Sequence, residues 1–135
     1  MSEAVYLRRC RTEDFANLDL AIVGAERLDT DLATKFSEKF GATPVEGYGT
    51  TELAPWATVN VPAHRSLTPG IPENKLGTVG RPVPGVQVKT VDPESRIELP
   101  IGQDGLLLVS GPNVMLGYLN LPEKTAKVIQ DGIEQ

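Results

Sequence analysis

The chain has 135 residues, 40 % apolar and 23 % charged, the make-up of one ordinary soluble domain with a core of its own and not of a disordered tail. Eighteen acidic against thirteen basic residues give a formal charge of -5, which argues against a nucleic-acid backbone or an anionic membrane surface as partner. The single cysteine, Cys10, allows no intrachain disulfide, and the N-terminus has no apolar run of the signal-peptide or membrane-spanning kind, so the cytoplasm is the expected compartment.

The first half reads as α/β. In CRTEDFANL, Thr12 is placed to cap a short helix whose first turn carries Glu13 and Asp14. LDLAIVG (18–24) is short, apolar and closed by glycine, as a buried strand requires. In DTDLATKFSEKFG, Asp29 and Thr30 are candidate caps, Leu32, Phe36 and Phe40 share one helical face, and Gly41 supplies the stop. TPVEGYG is a second strand entering a glycine turn. Strand, helix, strand at this spacing predicts a βαβ unit with parallel strands and a right-handed crossover.

Beyond Trp56 the pattern changes. ATVNVP reads as a strand, and PAHRSLTPGIPENKLG, with three prolines and two glycines, is a loop long enough for a compact domain to mark it as functional or mobile. In VQVKTVD, Val86, Val88 and Thr90 alternate with Gln87 and Lys89, and GLLLVSG follows. Both read as strands, and the turn-rich sequence around them predicts antiparallel pairing or a small barrel. LPEKTAKVIQDG is a helix that Pro122 opens. The expected organisation is an α/β portion over 1–60 and a smaller, β-rich, barrel-like subdomain over 61–135.

The stretch VEGYGTTELAPW (45–56) sets Tyr48 between Gly47 and Gly49 and follows it with Thr50, Thr51 and Glu52. Loops at the C-terminal ends of parallel strands are where open α/β sheets bind ligands. Flanking glycines let backbone approach a flat ligand on which the phenol ring stacks. The threonine hydroxyls and N–H groups suit phosphate oxygens, and Glu52 is a hard oxygen ligand for Mg²⁺ shared with them. This is the outline of a nucleoside-phosphate site. A tight turn that uses Tyr48 for packing alone fits the short pattern equally well. A metal site on protein ligands alone is not expected, since the one His and one Cys are far apart.

EGYGTTE resembles the tyrosine–glycine–threonine–glutamate motif of the adenylate-forming superfamily: acyl-CoA synthetases, luciferases and peptide-synthetase adenylation domains. VGAERL (23–28) resembles its small-residue segment. GTVGRPVPGVQVKTVD resembles the stretch entering its β-barrel subdomain, and GLLLVSGPNVMLGYLNLPEKTAKVI its G-E-L-x-x-x-G-x-x-x-x-x-G-Y motif. Within the superfamily, YLRRCRTEDFANLDLAIVGAERL, GYGTTELAP and GPNVMLGYLN are most similar to the acyl–acyl-carrier-protein synthetase part of bacterial 2-acylglycerophosphoethanolamine acyltransferase-like proteins. The chain departs from the pattern at Leu106, usually glutamate, at Arg27, often proline, and at Glu26, often smaller.

The resemblance implies two steps. A carboxylic acid, here a fatty acid, attacks the α-phosphate of ATP to give an acyl-adenylate, and CoA or acyl carrier protein then takes the acyl group. By motif position, Gly24, Ala25 and Glu26 border adenine and the acyl entrance. Glu46, Gly47, Tyr48, Gly49 and Thr50 form the nucleotide loop, with Tyr48 on adenine. Thr51 contacts the α-phosphate and Glu52 holds Mg²⁺, so these two carry the catalytic work. The family's lysine-bearing phosphate loop and its T-G-D aspartate have no counterpart here. The chain is therefore expected to be a piece of an enzyme, inactive alone and prone to self-association, from a parent that is cytoplasmic or associated with the inner membrane. The rival expectations are a non-catalytic α/β interaction module and an adenylating enzyme for an amino or aryl acid. Trp56 is expected under the site loop, His64 and helix residues Lys124 and Lys127 in solvent, and Tyr118 as an anchor of the β subdomain.

Overall fold

The computed structural model describes residues 2–66, 74–130 and 133–134. The loop singled out at 62–77 falls partly outside them. The chain forms two compact units, one of Met1–Tyr48 with Val59–Arg81, the other of Gly49–Thr58 with Pro82–Gln135. The sequence suggested one change of character near residue 60, whereas the chain passes between the units three times.

The first unit begins with α1 (Ser2–Arg9), a helix that the sequence reading left unassigned, with Glu3 in its first turn and Arg8 and Arg9 in its last, the arrangement that suits the helix dipole. Lys39 Nζ donates to Leu7 O at 2.6 Å, satisfying one of the carbonyls that a helix end leaves open. Thr12–Phe15 is a single 3-10 turn. Its closing bond is made by Asp14, whose carboxylate accepts from Arg11 N at 2.7 Å, so Asp14 takes the part expected of Thr12. The turn delivers Phe15 against Tyr6, Phe36 and Phe40, with ring centroids 5.6, 5.9 and 4.5 Å away. All three phenylalanines of the chain thus form one cluster of edge-on and tilted rings.

β1 (Ala21–Val23), α2 (Thr30–Phe40) and β2 (Pro44–Tyr48) make the βαβ unit, with β1 and β2 parallel and in register from Ala21↔Pro44 to Val23↔Glu46. Asp29 caps α2 as expected, accepting from Leu32 N at 2.9 Å, and Gly41 ends it at φ 74°, a conformation that glycine adopts without a Cβ penalty. β3 (Thr58–Val59) and β4 (Arg81–Pro82) complete a sheet ordered β1-β2-β3-β4. β1 lies at its edge.

In the second unit, β5 (Gln87–Val91), β6 (Leu106–Ser110), β7 (Ile129–Gln130) and β8 (Ile133–Glu134) pair antiparallel in the order β5-β6-β8-β7. They form an open sheet, so the barrel is not closed. Val86 is buried and Val88 and Thr90 are half-buried while Gln87 and Lys89 face out, the period of two that the sequence displayed; Val91, at the end of β5, departs from it and is buried, as is Val109. α3 (Pro122–Val128) starts on its proline. No helix of the described residues is long and apolar enough to cross a membrane.

Candidate functional site

The first unit carries Gly24, Ala25, Glu26, Glu46, Gly47 and Tyr48. Tyr48 is the half-buried last residue of β2 and not part of an exposed turn. Glu46 is buried within the same strand, and its Oε1 accepts from Leu28 N at 3.0 Å. A buried carboxylate stays in place only when it is paired or hydrogen-bonded, and this one uses that bond to fix the loop between β1 and α2. The loop is strained where it is fixed: Ala25 has φ 69°, a left-handed conformation that costs a residue with a Cβ about 1–2 kcal/mol. Such outliers persist where surrounding bonds hold them and concentrate at functional sites. Gly24, Ala25 and Glu26 border a pocket of about 300 Å³ together with Glu3, Val23 and Leu28, the size of a small-ligand cleft.

Asn60 anchors the other side of β2. Its backbone N–H and its Nδ2 both donate to Glu46 O, at 2.9 and 3.1 Å. Nδ2 also donates to Thr78 O, and Oδ1 accepts from Lys75 N at 2.9 Å. Asn60 is 2 % exposed, and its burial is sustainable because its donors and acceptor are matched.

The second unit carries Gly49, Thr50, Thr51 and Glu52. A Cβ on Gly49 would lie 1.6 Å from the Pro55 carbonyl oxygen. The missing side chain therefore serves the loop's own backbone, which folds back on itself there, whereas the sequence suggested close approach to a ligand. Thr51–Leu53 form one 3-10 turn over the fully buried Leu53. Thr51 is exposed, and Thr50 Oγ1 is enclosed beside the Glu52 carboxyl, which Tyr118 and, to a lesser degree, Thr50 hold below the usual carboxylate range.

The segment after β6 grips this turn. Met115 N donates to Glu52 O at 2.8 Å, and Asn113 Nδ2 donates to Leu53 O at 2.8 Å and Trp56 O at 2.9 Å. The Tyr118 hydroxyl donates to Glu52 Oε1. That bond, first, and a backbone bond at Glu52 itself, second, hold the Glu52 carboxyl below the usual carboxylate range, against a smaller opposing effect of burial. Tyr118 is thus more than an anchor of the β subdomain, and Lys124 is not simply solvated: its Nζ sits 4.4 Å from the Tyr118 ring centroid. His64 is exposed, as expected, and lies 3.2 Å from Asp19, which also pairs with Arg65.

Among the described residues no three His, Cys, Asp or Glu side chains come together as a metal site. A magnesium ion fits here only as a shared one, with Glu52 as its protein ligand and phosphate and water oxygens as the others, which is how Mg²⁺ is commonly held with nucleotides. An ionised, half-exposed Glu52 beside threonine hydroxyls has the donor chemistry for that arrangement.

The predicted residues fall into two groups, 24–26 with 46–48 and 49–52, joined by the peptide bond after Tyr48. The sequence reading missed Asn60 and Asn113. The available signal was a carboxamide inside an otherwise apolar strand (ATVNVP) and inside a motif (GPNVMLGY), where it must find backbone partners to be buried.

The family model "AMP-binding enzyme" matches residues 3–119. A long-chain-fatty-acid–CoA ligase of Escherichia coli O6:H1 is 37 % identical over 119 residues, 88 % of this chain and 20 % of that protein. A feruloyl-CoA synthase of Amycolatopsis is 36 % identical over 124 residues, 92 % of this chain and 23 % of that one. The crystal structure of ATP-bound MatB from Rhodopseudomonas palustris superposes with a TM-score of 0.73 at 33 % identity, over 98 % of this chain and 26 % of that one. The chain thus spans about a fifth to a quarter of the proteins it matches. A family match over most of its length, together with the βαβ unit and the open antiparallel sheet, places the chain in the AMP-binding, adenylate-forming enzyme family.

Proposed function

We propose that this chain is the part of an ATP-dependent acid–thiol ligase that presents the nucleotide loop, and that its acid is a fatty acid and its acceptor CoA or acyl carrier protein. The observation that carries the reading is Glu52, a carboxylate inside the family-matched segment, held by Tyr118 below the usual carboxylate range. Its fatty-acid arm is supported by long-chain ligases among the relatives. The acyl-carrier-protein arm rests on the sequence likeness described above.

In the first step an oxygen of the acid bonds to the ATP α-phosphorus as the bond to pyrophosphate breaks. In the second, a thiol sulfur bonds to the acyl carbon and AMP leaves. Such chemistry depends on positioning and charge neutralisation more than on a protein nucleophile. Tyr48 offers a ring face to adenine, Gly24, Ala25 and Glu26 a wall for adenine and the acyl entrance, Glu46 and Gly47 the strand that aims the loop, and Gly49, Thr50 and Thr51 its phosphate contacts. Magnesium, when bound, would neutralise phosphate charge, and Glu52 would hold it. In the enzyme built on this chain, Glu52→Gln is expected to lower ATP–pyrophosphate exchange by on the order of 10²-fold. Near-normal exchange would remove Glu52 from that role.

The chain alone is proposed to act in the cytoplasm only as part of its parent and to self-associate when isolated. β1 is a sheet edge bearing Ile22 at 37 % exposure, and Leu116, Leu119 and Leu121 are exposed, features that favour edge and apolar pairing. Light scattering of the isolated chain should give a mass above the monomer, and a strict monomer would contradict this. Its affinity for Mg·ATP should be weaker than micromolar. Stacking on one ring contributes about 1 kcal/mol beyond area burial, against the roughly 8 kcal/mol of micromolar binding. Calorimetry with Mg·ATP measures it.

A further inference from the structure

We propose that Tyr118 is a positioning residue for Glu52, one that aims the carboxylate at a nucleotide-bound divalent cation. The inference rests on the reading of Glu52 as the cation's ligand. Two bonds join the segment after β6 to Glu52, and they act on different parts of it. Met115 N holds the main chain at 2.8 Å, with Asn113 fixing the next turn through Leu53 O and Trp56 O. The Tyr118 hydroxyl donates to the carboxylate. The turn's backbone is therefore set without Tyr118, and what Tyr118 adds is the direction of one side chain.

Tyr118 is itself firmly placed. Its N–H donates to Thr125 Oγ1 at 2.9 Å, and that hydroxyl donates on to Leu121 O at 3.1 Å. Gly117, at φ 146°, lets this happen, because a Cβ there would lie 2.8 Å from Thr125 Cγ2. Lys124 Nζ, 4.4 Å from the ring centroid, is within cation–π reach and draws electron density toward the ring face, which makes the phenol O–H a stronger donor. The phenol takes one of the carboxylate's several lone pairs, which fixes the direction of the group and leaves it acceptor capacity for a cation. This is how partners of a metal ligand orient it, and their loss typically lowers metal affinity 10- to 100-fold.

The test uses the chain itself, labelled with ¹³C at the glutamate carboxyls, and Mn·ATP as a paramagnetic probe. In the wild-type chain, Mn·ATP should broaden the Glu52 carboxyl resonance selectively. Tyr118→Phe should raise the Mn·ATP concentration needed for that broadening about tenfold or more while leaving the amide spectrum of residues 50–56 in place. Unchanged broadening in Tyr118→Phe, with selective broadening in the wild type, overturns the positioning role and leaves Glu52 as a ligand. Absence of selective broadening in the wild type overturns the ligand reading and the inference with it. Should Tyr118→Phe disturb the amide spectrum, Thr125→Val decides, since Thr125 bonds Tyr118 N: no change there overturns the proposal, and a rise upholds it.

Discussion

Asn60 in the first unit and Asn113 in the second do the same task to different degrees. Each bridges two backbone carbonyls with its side-chain amide: Glu46 O and Thr78 O for one, Leu53 O and Trp56 O for the other. Their oxygens differ. Asn60 Oδ1 accepts from Lys75 N at 2.9 Å, whereas Asn113 Oδ1 is enclosed with no partner. The half of the motif that ends at Tyr48 is thus set in a fully matched network, and the half that carries Thr50, Thr51 and Glu52 is held with acceptor capacity unspent. A matched buried network resists change more than a partly matched one. The two halves of one short motif therefore differ in what it costs to disturb them.

Several substitutions would break or sharpen that contrast. Asn60→Ala should cost the most, about 3 kcal/mol in urea unfolding, since it removes three side-chain bonds worth roughly 1 kcal/mol each and leaves buried groups unpaired. Asn113→Ala should cost about 2 kcal/mol by the same count, and an equal or larger loss there would erase the difference between the units. Glu46→Gln should cost about 1 kcal/mol, because an amide oxygen still accepts from Leu28 N but without the help of a charge. A neutral result would mean that the bond to Leu28 N holds the loop equally well with a carboxamide as acceptor.

The smallest effect is one of pH. The Tyr118 hydroxyl and then a backbone bond depress the Glu52 pKa in the folded chain, so the associated stability is present above the unfolded value of about 4.3 and fades as pH falls through the lower folded one. The gap in urea midpoint between wild type and Tyr118→Phe should accordingly be wider at pH 6 than at pH 3. A gap that does not change with pH would show that the phenol does not favour the ionised carboxylate.

Local chemistry made much of the fold legible. Asp29 and Gly41 bounded α2, Pro122 opened α3, and alternation found β5 and β6, because caps and strand periodicity are written within a few residues. α1 was not legible, since what holds it includes Lys39 and the Phe15 cluster, contacts with distant parts of the chain. At the site, the motif pointed to Glu52 but not to what orients it. Tyr118 lies 66 residues on and Asn113 bonds across 60 and 57, and no local pattern encodes such pairings. Gly49 has a further constraint that the sequence did not display, because the carbonyl that forbids its side chain belongs to Pro55, brought close only by the folded loop.

The interleaving of the two units has a consequence for synthesis. Residues leave the ribosome in order, and domains tend to fold as they emerge. The first unit has all its segments once Arg81 is out, so β1, α2 and β2 can settle early. The excursion of Gly49–Thr58 cannot, because Asn113, Met115 and Tyr118 do not yet exist. For the interval needed to translate some thirty more residues, on the order of seconds at ordinary elongation rates, the carbonyls of Glu52, Leu53 and Trp56 lack those partners. The Gly49–Thr58 loop therefore acquires its shape later than the segments of the first unit, and until then it is open to a nascent-chain protease or chaperone.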